Sequence, residues 1–112
     1  MRVGTAWMVL LVAGVLETAW AVGLKYTQGF TRLWPSVGTG VTAVASMVLL
    51  AMAVKVIPVG TGYAVWTGIG AAGTALIGMV WLGESRELLR ILCLGLIIIG
   101  VLGLRFAAAN GH

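Results

Sequence analysis

Acidic side chains are almost missing from this chain of 112 residues: Glu17, Glu84 and Glu87 are the three, and only 9% of the residues are charged. A soluble domain carries about 25% charged residues, so a water-exposed globule is excluded. One cysteine, Cys93, allows no disulfide within the chain and says nothing of redox compartment. One histidine, His112 at the C-terminal end, leaves no constellation of metal ligands, and no metal is expected. No nucleophile–base pair and no cofactor motif is present, so neither an enzyme nor a bound cofactor is expected. The net charge of +4 would suit an anionic partner. The seven basic residues are scattered singly, however, and no basic cluster exists to hold a nucleic acid.

What fills the chain is apolar: 61% hydrophobic residues and a mean hydropathy of +1.10 define an integral membrane protein. Isolated basic residues between apolar runs are how such chains mark the membrane–water boundary. The first run, 3–24, resembles a signal peptide in having Arg2 before it and Ala19-Trp20-Ala21 within it. It is longer than the usual apolar region, contains Glu17 and precedes three further runs, so a retained helix is expected.

Charges and turn residues divide the sequence into four spans, expected at about 3–24, 34–54, 57–82 and 87–107, within one domain covering 1–112. Lys25 and Thr27-Gln28-Gly29 close the first; Trp34-Pro35 opens the second, with proline suited to a helix start. Pro58 opens the third and Gly83-Glu84 ends it. The fourth has an uncharged stretch of only 91–104, whereas crossing a bilayer takes about 20 residues. Helix four must therefore take in 88–90 and 105–109, with Arg90 and Arg105 snorkelling or paired. Short connections make consecutive helices antiparallel neighbours. The fold class expected is an all-α membrane protein with four transmembrane helices per chain.

Four spans place Arg2, Lys55 and Arg105 on one side and Lys25, Arg32, Arg86 and Arg90 on the other, three against four. So small a bias under the positive-inside rule points to insertion in both orientations. The alternative is that one strong positive residue or the amino terminus fixes a single orientation. Four helices packed on each other cannot enclose a solute-wide route, so a dimer is expected. Cys93, Leu96, Gly100 and Gly103 form a 3-4-3 stripe of mostly small residues suited to the dimer contact. A packing face within the chain is the competing use of that stripe.

Glu17 is the only acid inside the first run. A carboxylate at mid-membrane depth costs about 2.5–3.5 kcal/mol on insertion scales, so ion or proton handling is its default reading. Trp20, three residues on, shares its face; an indole attracts a planar cation by about 0.5–2 kcal/mol. Interior packing is the alternative for Trp20. Ser46 lies mid-segment, where its hydroxyl is placed either to donate to Glu17 or to bond back to its own helix. Tyr63 and Trp66, three apart, share a face of helix three, as a pocket wall or as packing against helix one. Thr67 offers a further hydroxyl. Trp7, Trp34 and Trp81 lie near segment ends and are expected as interfacial anchors. Gly68, Gly70, Gly73 and Gly78 each cost helix three about 1 kcal/mol relative to alanine. Either flexibility of that helix, for Gly68, Gly70 and Gly73 above all, or close packing explains them.

These residues resemble the small multidrug resistance family of four-helix exporters over nearly the whole chain. The resemblance is carried by Ala13-Gly14-Val15-Leu16-Glu17, Gly23-Leu24-Lys25-Tyr26 and Gly29-Phe30-Thr31-Arg32-Leu33-Trp34-Pro35-Ser36. It continues through Ser46, Ile57-Pro58-Val59-Gly60, Gly83-Glu84 and Gly100-Val101-Leu102-Gly103-Leu104-Arg105. Trp20 and Ala64-Val65-Trp66-Thr67-Gly68-Ile69-Gly70 are similar to the family's guanidinium exporter subtype. Two residues depart from that pattern: Gly62, where alanine is commoner and a looser helix three is expected, and Arg105, where lysine is more usual.

The resemblance implies an antiparallel, dual-topology homodimer in the inner membrane that exports guanidinium-like cations in exchange for protons. It implies one site built around Glu17 of both subunits, with Tyr63 bonded to Glu17 or substrate and Trp66 lining the pocket. The partners expected are thus a small organic cation, protons, the lipid bilayer and a second copy of the chain. A planar guanidinium ion presents N–H donors that match carboxylates bidentately. The competing readings are a broad exporter of quaternary ammonium and other lipophilic cations, and a structural membrane subunit or channel.

Overall fold

A computed structural model describes residues 2–109; His112 lies outside them. The elements are α1 (Val3–Tyr26), α2 (Leu33–Ala53), α3 (Val59–Trp81) and α4 (Leu88–Ala109). All four are long and apolar enough to cross a membrane. The chain is thus an all-α, multi-pass membrane protein. α1 continues to Tyr26, past the expected stop at Leu24, and α3 starts at Val59 because Pro58 takes the extended cap position with ψ 137°.

The reversal between α1 and α2 is organised by Thr27. Its buried hydroxyl donates to the Leu24 carbonyl at 2.8 Å and accepts from the Phe30 N–H at 3.2 Å. Its own carbonyl accepts from the N–H groups of Thr31 and Arg32. Gln28, Gly29 and Phe30 all take positive φ there (49°, 74° and 66°), a conformation only glycine adopts freely. Beyond α3, Gly83 at φ 71° turns the chain, and the Arg86 guanidinium donates from Nε and Nη2 to the Met79 carbonyl at 3.2 and 3.1 Å. A cation there satisfies a carbonyl that the helix end leaves open and complements its dipole.

α1 is the central helix, packed on both α2 and α3; α4 leans on α3. The core is small: Ala6, Trp7, Leu10, Ala13, Ala53, Ile57, Val65 and Trp66. Most large apolar side chains instead face outward, among them Met8, Val12 and Val15 of α1, Val41, Val44 and Met47 of α2, and Leu92, Leu96 and Ile99 of α4. Lipid or a partner must cover them, since water would not. The described residues form a slab of 44 × 35 × 16 Å. One helix with its side chains is about 10–12 Å across, so 16 Å leaves no room for a solute route enclosed on every side.

Several expectations are settled here. Arg90 is paired, its Nη2 lying 2.6 Å from Glu84 Oε1, and the Arg105 guanidinium lies 4.6 Å above the Trp7 ring. Trp7 is therefore no interfacial anchor: it is buried, 6% exposed, with Arg105 as its lid, whereas Trp34 and Trp81 stand 78% and 79% exposed. Gly62 does not loosen α3. It is buried, and a Cβ on it would lie 2.6 Å from Val54 Cγ1, so glycine admits the end of α2.

Candidate cation-binding cleft

Glu17 stands on the α1 flank that meets α3. The buried face of α1 runs through Leu10, Ala13, Gly14 and Thr18, which leaves Glu17 at its edge, half-buried. Gly70 receives it: a Cβ there would overlap the carboxylate, lying 2.5 Å from Cδ and 2.8 Å from Cγ. Next to it Thr18 packs on Gly73, its hydroxyl donating between the Gly14 carbonyl at 3.3 Å and the Gly70 carbonyl at 3.5 Å. Gly68 takes Val101 of α4 and Gly78 takes the Glu84 carboxylate. Each of the four glycines thus admits a close neighbour, along an α3 that runs unbroken from Val59 to Trp81.

Glu17 forms one end of a cleft of about 340 Å³. Its walls are the small residues Ala21, Ala71 and Ala75, with Thr67 and Thr74 supplying hydroxyls and the Glu84–Arg90 ion pair lying on its rim. Glu17 Oε2, Trp20 Nε1 and Thr74 Oγ1 are buried atoms without a hydrogen-bond partner among the described residues. Buried polar groups are nearly always bonded, and each exception needs a reason. An unpaired carboxylate oxygen on a cleft is met by a proton or by a cation.

A second cluster lies one turn away on the same α3 face. Trp66 Nε1 donates to Ser46 Oγ at 2.9 Å, and Ser46 donates its own proton to the Ala13 carbonyl at 2.6 Å. Ser46 therefore neither donates to Glu17 nor bonds back to its own helix: its one proton crosses from α2 to α1. Ala13 lies one turn before Glu17, so the contact braces the stretch that carries the acid. Tyr63 lies against Trp66 with ring centroids 5.7 Å apart and planes tilted by 47°. It is 58% exposed, and among the described residues no hydrogen bond joins it to Glu17.

The structure thus brings Glu17 against α3 and links Ser46, Trp66 and Tyr63 in sequence, with Trp20 supplying an unbonded indole N–H. Thr18 and Thr74 were missed by sequence reasoning. Thr74 carried a usable signal, since it follows Gly70 by four residues and so shares its helix face; Thr18 carried none, because only the α1–α3 distance gives it a role. The stripe of Cys93, Leu96, Gly100 and Gly103 faces away from the chain: all four are exposed, and a Cβ on either glycine would meet nothing within 4 Å. It is not a packing face within the chain. Among the described residues no group of three or more His, Cys, Asp or Glu is placed to hold a metal.

Four membrane-crossing helices and one unpaired acid on a small-walled cleft are the makings of a membrane carrier for cations. The family model for the small multidrug resistance protein matches residues 5–97, and the chain belongs to that family. It is 59% identical over 103 residues to the guanidinium exporter of Yersinia pseudotuberculosis, covering 92% of this chain and 99% of that protein. The guanidinium exporters of Salmonella typhimurium and Escherichia coli K12 are each 56% identical, over 103 and 102 residues, with 98% and 97% of their lengths covered. Family and relatives make this chain a transport protein rather than an enzyme.

Proposed function

We propose that the chain exports guanidinium and small guanidinyl cations across the cell's inner membrane in exchange for protons. The observation that carries this reading is Glu17 Oε2, buried at a cleft and without a hydrogen-bond partner among the described residues. A carboxylate binds either a proton or a cation, and mutual exclusion at one acid is sufficient to couple two opposed fluxes. The relatives named for guanidinium export supply the substrate class. Guanidinium chemistry agrees with it, since a planar ion with N–H donors on each edge suits carboxylates better than a quaternary ammonium ion with none.

In this reading two chains pair antiparallel, inserted in opposite orientations, and bring two Glu17 side chains to one site. Two facing acids titrate as a pair. The near-balance of basic residues supports dual insertion, and the outward stripe of Cys93, Leu96, Gly100 and Gly103 supports a helix-four contact between copies. Trp20, Tyr63 and Trp66 do not border the Glu17 cleft of the single chain; in the paired site Trp20 and Trp66 line the pocket, Tyr63 bonds Glu17 or the substrate, and Ser46 holds the Trp66 indole and the Glu17 turn in place. Gly68, Gly70 and Gly73 let α3 bend, so that the two subunits take unlike shapes and exchange them.

The test is flux in proteoliposomes. Guanidinium uptake must move with an imposed proton gradient and disappear in Glu17→Gln. Equal fluxes with and without the gradient, unaffected by that substitution, indicate a passive channel. Preferred transport of quaternary ammonium ions indicates the broad multidrug reading.

A further inference from the structure

Among the described residues Thr74 carries the one buried side-chain hydroxyl without a hydrogen-bond partner. Thr18, Thr27, Thr31, Ser36, Thr42 and Ser46 all donate to backbone carbonyls. Thr74 does not: its Oγ1 is buried and has no partner among the described residues. Within a helix, a threonine hydroxyl ordinarily bonds back to the carbonyl four residues earlier, which here is that of Gly70. That carbonyl already faces the Thr18 hydroxyl at 3.5 Å in addition to its helical N–H. The Thr18 hydroxyl thus stands against the acceptor that the Thr74 hydroxyl would ordinarily use.

Thr74 lines the same cleft as Glu17. Glu17 packs on Gly70, and Thr74 lies four residues, about 6 Å, further along the same face of α3. An ion held in that cleft therefore has both side chains on its wall. A hydroxyl oxygen accepts N–H donors, and the surrounding Ala21, Ala71 and Ala75 offer no side-chain competitor.

We infer that Thr74 is a second anchor for the transported cation: the ion sits between Glu17 and Thr74, donating N–H groups to the carboxylate at one edge and to Oγ1 at the other. This deepens the guanidinium reading and rests on it. It makes Thr74 a determinant of specificity, because a cation without a second N–H edge gains nothing from the hydroxyl. The proton gains nothing from it either, since Thr74 holds the cation and leaves proton binding to Glu17.

The experiment measures KM for guanidinium, and the pH profile of transport at guanidinium concentrations saturating for each protein, in proteoliposomes for wild type, Thr74→Ser, Thr74→Ala and the isosteric Thr74→Val. The expected result is a KM raised about tenfold or more in Thr74→Val and Thr74→Ala, as for a lost hydrogen bond to a charged group. Thr74→Ser keeps the wild-type KM, and every variant keeps the wild-type pH profile. Should Thr74→Val fail to fold, the ratio of KM between the Ala and Ser variants reads the hydroxyl alone. A ratio near one overturns the inference. So does a pH profile that shifts with the loss of the hydroxyl, which would make Thr74 a partner of Glu17 and not of the cation. If wild type itself moves no guanidinium, the proposed function fails instead, and the two failures are distinguishable.

Discussion

Trp66 and Ser46 are joined across α3 and α2 by a 2.9 Å hydrogen bond, and Ser46 passes its own proton to the Ala13 carbonyl of α1 at 2.6 Å. Three helices are thereby tied by two bonds through one fully buried hydroxyl. The tie lies one turn from Glu17 along α1 and one turn from Gly70 along α3, so it fixes the distance between the acid and the helix it faces.

Ser46→Ala should therefore do two things. It leaves the Trp66 N–H buried and unpaired, costing about 1–2 kcal/mol of stability, and it frees the indole to rotate. A lower unfolding midpoint in detergent together with a raised guanidinium KM is expected. An unchanged KM in a destabilised protein would reduce Ser46 to a structural role.

Gly70→Ala places a methyl group where the Glu17 carboxylate lies. Overpacking of this kind costs about 1–3 kcal/mol, and here the side chain that must move is the acid itself. Transport should fall sharply while helix content by circular dichroism is retained. Gly95→Ala is the control: a Cβ there meets nothing within 4 Å, so flux should stay at the wild-type level.

Gly100→Leu with Gly103→Leu adds bulk to a stripe that touches nothing within the chain. If that stripe is the contact between copies, the dimer fraction measured by light scattering in detergent should fall, and the monomer should keep its helix content. An unchanged dimer moves the interface elsewhere.

Glu84 and Arg90 form an exposed pair, their side chains 42% and 33% accessible. Such pairs contribute about 0–1 kcal/mol. Glu84→Gln should shift the unfolding midpoint little, and less at high salt than at low. A large loss of stability would mean that its close seat on Gly78 matters more than the charge.

The four spans were legible in the sequence because a bilayer imposes length and hydropathy directly, and Glu17 stood out because lipid makes a lone acid conspicuous. The partners of these residues were not legible. Whether Ser46 bonds Glu17, its own helix or Ala13 depends on how closely α2 approaches α1, which no periodicity encodes. Trp7 read as an anchor because it lies near a helix end; only the return of Arg105 at the far end of the chain buries it. The glycines of α3 pointed equally to bending and to packing, and the side chains opposite them, Val101, Glu17, Thr18 and Glu84, come from other elements.

The most direct test of shared occupancy is proton release from purified, weakly buffered protein as guanidinium is added. Wild type should release protons in a saturable manner that follows cation binding, and Glu17→Gln should release none. Guanidinium binding without proton release, or equal release from Glu17→Gln, would contradict competition of proton and cation for one carboxylate.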